Sequence, residues 1–277
     1  MTISDPVTIP AGVAVFGAAK GQDVITSGRV VDLDPLDETV FTGTITLGNG
    51  VILDGVTLHE KPIIDANATS VTISNSRLVD ITVPASGDHL QRAVIAIDNW
   101  NMPTKLVLDG NYFGTNTDVY NLFELNTPLA DGTTISNNSF GAAANSHNII
   151  NIYAVETNAN ILIKDNYFAM SASAARIGIK GNEIATITFD GNEYAATDTT
   201  PNWGGLLTIQ PYGTSTVSMT DITINISNTI NNSGDPQLYV YYTGANDTVL
   251  ADIDKPSVFI DGVLENWSSP ANGIVLP

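Results

Sequence analysis

The chain has 277 residues, 43% of them hydrophobic, with 29 Asp and Glu against 10 Lys and Arg for a formal net charge of −19. That apolar share is ample for a core and argues against intrinsic disorder, while acidity without any offsetting Lys/Arg cluster argues against nucleic acid and anionic membranes as partners. The lack of cysteine excludes disulfides, thiolate zinc sites and Cys nucleophiles, and His59, His89 and His147 show no metal-ligand spacing.

The first residues, MetThrIleSerAspProValThrIlePro, carry neither a basic leader nor an apolar run, so the chain reads as one made in the cytoplasm without a secretory signal. No apolar stretch approaches transmembrane length. Further on, Asp32, Asp34, Asp37 and Glu38 form an acidic knot, ValAspLeuAspProLeuAspGlu, with oxygen ligands of the kind a hard cation takes. Lacking an EF-hand or glycine-rich calcium spacing, the knot reads first as a solvated loop, and no cofactor is expected.

From Val51 the chain repeats itself. An eight-residue pattern runs apolar, any, apolar, then turn residues, and often ends on an apolar side chain. It reads ValIleLeuAspGlyValThrLeu from Val51, ValThrIleSerAsnSerArgLeu from Val71 and LeuValLeuAspGlyAsnTyrPhe from Leu106. It returns as ThrThrIleSerAsnAsnSerPhe from Thr133, IleLeuIleLysAspAsnTyrPhe from Ile161 and IleThrPheAspGlyAsnGluTyr from Ile187. Weaker copies begin at Ile222 and Val258. The central spacing of 27, 28 and 26 residues, with longer gaps outside it, marks a basic unit carrying loop insertions. Between most copies lies a second alternating run, such as AlaValIleAlaIleAsp from Ala93, AsnLeuPheGluLeuAsn from Asn121 and AsnIleIleAsnIleTyr from Asn148. Period-two alternation bounded by Gly, Asn, Asp and Ser is strand chemistry, and no long segment has helical spacing.

Down the columns, the first and third positions (Val51/Leu53, Val71/Ile73, Leu106/Leu108, Ile161/Ile163, Ile187/Phe189) are expected to face inward. The sixth is Asn111, Asn138, Asn166 and Asn192, amides able to bond along a stack. The eighth is Leu58, Leu78, Phe113, Phe140, Phe168 and Tyr194, an apolar column. The fourth (Asp54, Ser74, Asp109, Ser136, Lys164, Asp190, Asn225, Asp261) never sets two Asp residues side by side, as like-charge repulsion across strands would favour. The second holds Ile52, Val107, Leu162 and Phe259 among threonines, a candidate docking stripe on the outer face.

This repeat, with its Asn and aromatic columns, resembles the right-handed parallel β-helix of the pectate-lyase-like superfamily. The resemblance covers Val51 to Glu265 and implies an all-β fold. The expectation is a single β-helix of about eight coils, a rod core of about 40 Å at strand spacing. Residues 1–50 would form an N-terminal capping segment, 51–265 the helix and 266–277 an irregular C-terminal tail, all in one domain.

The same solenoid serves lyases, glycosidases, adhesins and phage tail and head proteins, so fold does not decide function. Polygalacturonase-like members carry Asn-Thr-Asp, an Asp-Asp pair, Gly-His-Gly and Arg-Ile-Lys on successive coils. Here stand Asn116-Thr117-Asp118, a lone Asp131, Ser146-His147-Asn148 and Arg176-Ile177-Gly178-Ile179-Lys180. Three of these four elements depart from the pattern, and the missing pair removes the most direct source of the two carboxyls an inverting hydrolase needs. Asp118, Asp131, His147, Arg176 and Lys180 are therefore the catalytic candidates only if the chain is an enzyme. Pectate lyases of the superfamily use an Arg base with Ca²⁺ held by Asp, and Arg29, Arg77, Arg92 and Arg176 show no matching motif. Tyr112, Tyr167, Trp100, Trp203, Trp267 and the run Tyr239, Tyr241, Tyr242 are aromatics that either stack on sugars or pack loops on the rod.

The expected function is a non-enzymatic structural or binding protein of a phage virion: a capsid decoration, head fibre or spike on the particle surface. It would be homo-oligomeric, with a trimer favoured, or docked on capsid or tail proteins, with a glycan as a further partner. A polysaccharide-cleaving enzyme of tailspike or polygalacturonase type is the alternative, and a bacterial surface adhesin the third.

Overall fold

The computed structural model describes residues 1–21, 25–26, 29–30, 38–114, 119–141, 148–170, 177–179, 184–196, 207–209, 220–231, 238–242, 256–265 and 274–276. Among them every regular element is a strand, and the fold is all-β with parallel sheets.

The copies of the repeat build two of these sheets. Their first halves pair side by side in a ten-stranded sheet that includes Val51–Asp54, Ser70–Ser74, Lys105–Asp109, Thr134–Ser136, Ala159–Lys164, Ala185–Asp190 and Ile222–Ser227. Their second halves pair in a nine-stranded sheet through Thr57–Leu58, Arg77–Val79, Tyr112–Gly114, Ser139–Phe140, Tyr167–Met170 and Glu193–Ala196. The runs between copies form a seven-stranded sheet that begins Ala93–Asp98, Asn121–Leu129, Asn148–Val155. From Lys105 onward the chain visits these sheets in turn, and each strand pairs in parallel with its counterpart from the next repeat. Near the end the direction reverses. Ser257–Ile260 turns at Asp261-Gly262, both with positive φ (47° and 80°), and pairs antiparallel with Val263–Leu264. Two successive left-handed residues with an Asp-Gly sequence match a tight hairpin turn.

One register differs from the sequence pattern. Ile187 pairs with Ile224 rather than Ile222, so that copy starts two residues later and Asn225, not Thr223, joins the second-position column. A slip of two residues keeps every side chain on its own face, so alternation alone is blind to it. The turn decides: the Ser227 hydroxyl donates to Asp190 Oδ1 at 2.8 Å and the Asn228 amide at 2.7 Å.

The same clamp recurs in the turn column. Asp109 Oδ1 accepts from Ser136 Oγ at 2.7 Å and Asn137 Nδ2 at 2.8 Å, and Asp54 Oδ1 from Asn75 Nδ2 at 2.9 Å. The residue after each fourth position lies at positive φ: Gly55, Asn75, Gly110, Asn137, Asp165, Gly191 and Asn228. Gly, Asn and Asp are the residues that adopt this region at least cost, which explains why Asp-Gly and Ser-Asn pairs fill the turns.

The core lies between the sheets. Val51, Leu53, Val71, Ile73, Leu106, Leu108, Ile163 and Ile187 are fully buried, as are Phe123, Leu125, Ile150 and Ile152 of the seven-stranded sheet. The aromatic column stacks through the middle: Phe113 on Phe140 at 5.3 Å, Phe140 on Phe168 at 4.9 Å, and Phe168 on Tyr194 at 4.9 Å. Phe123 meets Phe140 edge-on at 5.5 Å, which ties this column to the seven-stranded sheet.

Candidate functional site

The strand Asn121–Leu129 sends Phe123 and Leu125 into the core, so alternation turns Glu124 and Asn126 to the opposite face. A glutamate there would ordinarily be solvated, yet Glu124 is only 1% exposed. Its Oε2 accepts from Asn121 Nδ2 and, at 3.0 Å, from Asn151 Nδ2, its register partner on the neighbouring strand. Two amide donors stabilise a carboxylate that burial would otherwise penalise.

The loop Gly87–Leu90 borders this carboxylate. Asp88 fixes the loop by accepting at Oδ1 from the Gln91 N–H at 2.8 Å. His89 stacks on Tyr120 at 4.3 Å, with Nδ1 3.8 Å from Glu124 Oε1. Lys61 reaches in from another strand connection and donates its ammonium to the Leu90 carbonyl. Burial lowers its pKa to about 8, against the pull of Asp88 and Glu124.

Together Gly87, Asp88, His89, Leu90, Trp100, Glu124, Asn126 and Tyr153 line a surface cavity of about 430 Å³, within the usual range for small-molecule sites. Trp100 is 41% exposed and held edge-on by Tyr153 at 5.7 Å. Among the described residues, the buried Oδ1 of Asn126 accepts no hydrogen bond. The wall thus offers an indole surface and two carboxylates, with the Asn126 amide oxygen buried just behind it. Such a set can bind a hydroxylated ligand, and the pair of carboxylates is the minimum an acid–base hydrolysis would need.

The residues singled out from sequence lie elsewhere. Asp118, His147, Arg176 and Lys180 fall outside the described residues, as do Asp32, Asp34 and Asp37. Asp131 is an exposed turn residue whose Oδ1 accepts from the Asn160 N–H at 2.8 Å and its side-chain amide at 3.1 Å, bonds that lower its pKa. Glu38 forms an ion pair with Arg77. Among the described residues no cluster of three His, Asp or Glu side chains is placed to hold a metal. Ile52, Val107, Leu162 and Phe259 share one column, with Ile52 39% exposed and the others half-buried.

Asn111, Asn138, Asn166 and Asn192 form a continuous buried ladder, the Nδ2 of each of the first three donating to the next Oδ1 at 3.0 Å. Each Nδ2 also donates to a strand carbonyl of the preceding repeat: Ile73, Leu108, Ile135 and Ile163 respectively. At the ladder's upper end Ser76 substitutes: its N–H donates to Asn111 Oδ1, and its hydroxyl oxygen accepts from the Val56 N–H.

Sequence reasoning passed over Glu124, Asp88 and Asn126. The available signal was the lone acid inside AsnLeuPheGluLeuAsn, opposite Asn151 in AsnIleIleAsnIleTyr. Comparisons with protein-family models, curated proteins and solved structures find no match to this chain.

Proposed function

We propose that the chain winds as one right-handed parallel β-helix of the pectate-lyase-like type and serves as a rigid, non-enzymatic structural and binding protein on the surface of a phage-type virion. The observation that carries this reading is the buried asparagine ladder running beside the aromatic stack. A parallel array whose interior amides satisfy one another from repeat to repeat suits a stiff, protease-resistant rod. The three-sheet visiting order supports one winding path, and parallel crossovers are right-handed in almost all proteins. The surplus of 29 acids over 10 bases keeps such a rod soluble outside a particle. The second-position stripe, led by Ile52, supports docking on a capsid or tail protein or assembly as a trimer.

The test is to probe purified virions with an antibody to this chain and to measure the mass of the isolated protein by sedimentation. Detection on the particle surface and a trimeric mass are expected. Failure to detect it on any particle would remove the virion assignment, and a monomer at high concentration would remove self-association.

One observation favours a second reading, polysaccharide cleavage: the pair Asp88 and Glu124 in a single cavity. Release of reducing ends from a polysaccharide, abolished in Glu124→Gln, would move the assignment there.

A further inference from the structure

We propose that the cavity between the Gly87–Leu90 loop and Trp100 is a binding site for an uncharged sugar, a pyranoside unit of a neutral polysaccharide. The inference requires neither catalysis nor a particle location, and the cleavage reading would rest on it.

Three features point to this ligand. The first is the balance of hydrogen-bonding groups. Glu124 is fully occupied at Oε2 by Asn121 and Asn151, which leaves Oε1 toward His89 and the cavity. Asn126 Oδ1 is buried just behind the lining without a donor, met by a ligand hydroxyl only if the side chain shifts, and the exposed Asp88 lines the loop side. A wall rich in acceptors selects a ligand that brings donors, as sugar hydroxyls do.

The second is Trp100, a large apolar side chain kept 41% exposed at the cavity edge while Tyr153 braces it edge-on. A flat aromatic surface beside convergent polar groups matches the alternation of apolar C–H faces and hydroxyl edges on a pyranose ring. A hard cation would use the acceptors but leave the indole idle.

The third is charge. Among the described residues, Asp88 and Glu124 draw on the Lys61 ammonium, which is turned onto the Leu90 carbonyl, and on His89 only when its ring is protonated. A uronate or sulfated sugar would bring its own anion against two carboxylates, so charged polysaccharides are disfavoured.

The test is calorimetric titration of the full chain with hexasaccharides of α-glucose, β-glucose, galactose, mannose and N-acetylglucosamine. Hexagalacturonate and calcium chloride serve as contrasting probes. At least one neutral hexamer should bind, and Trp100→Ala and Glu124→Gln should each weaken that binding about tenfold or more, a factor worth about 1.4 kcal/mol. Gln can still accept from Asn121 and Asn151, so Glu124→Gln should keep the native unfolding midpoint. The exposed Val263→Ser serves as a control that should leave affinity unchanged. Binding by none of the neutral hexamers, preference for hexagalacturonate or calcium, or insensitivity to Trp100→Ala would each overturn the proposal. Reducing ends measured in the same samples separate the two readings: binding without new ends keeps the sugar site and removes cleavage.

Discussion

The side-chain amide of Asn138 donates to Asn166 Oδ1 at 3.0 Å, and the backbone N–H of Asn138 donates to that same oxygen, also at 3.0 Å. One acceptor with two lone pairs therefore joins a side chain and a main chain of the repeat before it. Asn138 in turn offers its own Oδ1 to the N–H and amide of Asn111. Asn138→Ala strands the Asn111 backbone N–H, leaves the Asn111 amide with its Ile73 bond alone and takes a donor from the Leu108 carbonyl, all in a dry interior. The expected loss is about 3 kcal/mol, since each stranded buried group costs roughly 1–3 kcal/mol. Asn138→Asp keeps the acceptors but sets a carboxylate against the Leu108 and Asn166 oxygens, so its loss should exceed that of Ala at neutral pH. Urea unfolding at fixed pH measures both.

Phe140 is the central plate of the aromatic column, touched by Phe113 above, Phe168 below and Phe123 from the side. Removing it opens a cavity that three rings cannot fill without leaving their own strands. Phe140→Ala should cost about 3–5 kcal/mol. Phe16→Ala, at a side chain 53% exposed whose ring meets the Lys20 ammonium, should cost no more than about 1 kcal/mol. Equal losses in denaturant melts would mean the column carries no special packing.

Gly110 has φ 67°, and a methyl group there would sit 2.9 Å from Asn75 Oδ1 of the preceding turn. Gly12 has a similar φ of 73° but open space around it. Both substitutions to Ala incur the left-handed backbone cost of about 1–2 kcal/mol. Only Gly110→Ala adds the clash, so it should be the more destabilising of the two. Combining it with Asn75→Gly should return part of the difference in a double-mutant comparison of unfolding midpoints.

These turns show where the amino-acid pattern was readable and where it was not. The Asn and Phe columns could be read because the same residue type recurs at the same repeat position, and lateral register then aligns them. The alternation of Asp with Ser is also visible, and like-charge repulsion across strands would favour it. The structure adds a more specific cause: Ser136 and Asn137 both donate to Asp109, so a Ser-Asn turn on the following repeat clamps the Asp-Gly turn. The start of the Ile224 copy was hidden because a two-residue slip preserves the faces. Glu124 was hidden for another reason. Its strand alternates as an open surface would, and the loop that borders it, Gly87–Leu90, belongs to no repeat.

Acid should expose the clamp at Asp190. Its pKa is held below the ordinary value by hydrogen bonds from Asn228 and Ser227, with Lys164 assisting by charge. A carboxyl with a depressed folded pKa contributes stability above its unfolded pKa of about 3.9, and that contribution fades as pH falls through the folded value. Asp190→Asn should therefore lower stability at neutral pH and show a flatter decline below about pH 4. Parallel slopes for the two proteins in acid urea titrations would contradict the clamp.

The alkaline side tests the cavity's lysine. Burial lowers the Lys61 pKa to about 8, well under the unfolded value of roughly 10.4. Between those two values the unfolded chain binds more protons than the folded one, so the lysine's contribution to stability rises with pH across that window. Below about 8 the ammonium is charged in both states, and its desolvation penalty stands in full. Lys61→Met should remove the rise between pH 8 and 9.5 while keeping much of the packing of the side-chain stem. Burial raises the Tyr194 phenol above its ordinary pKa, so its ionisation on unfolding favours the unfolded chain near pH 10 and sets the upper limit of the measurement. Urea midpoints across this range should climb in the wild-type chain and stay level in the variant; a level wild-type profile would place Lys61 in water instead.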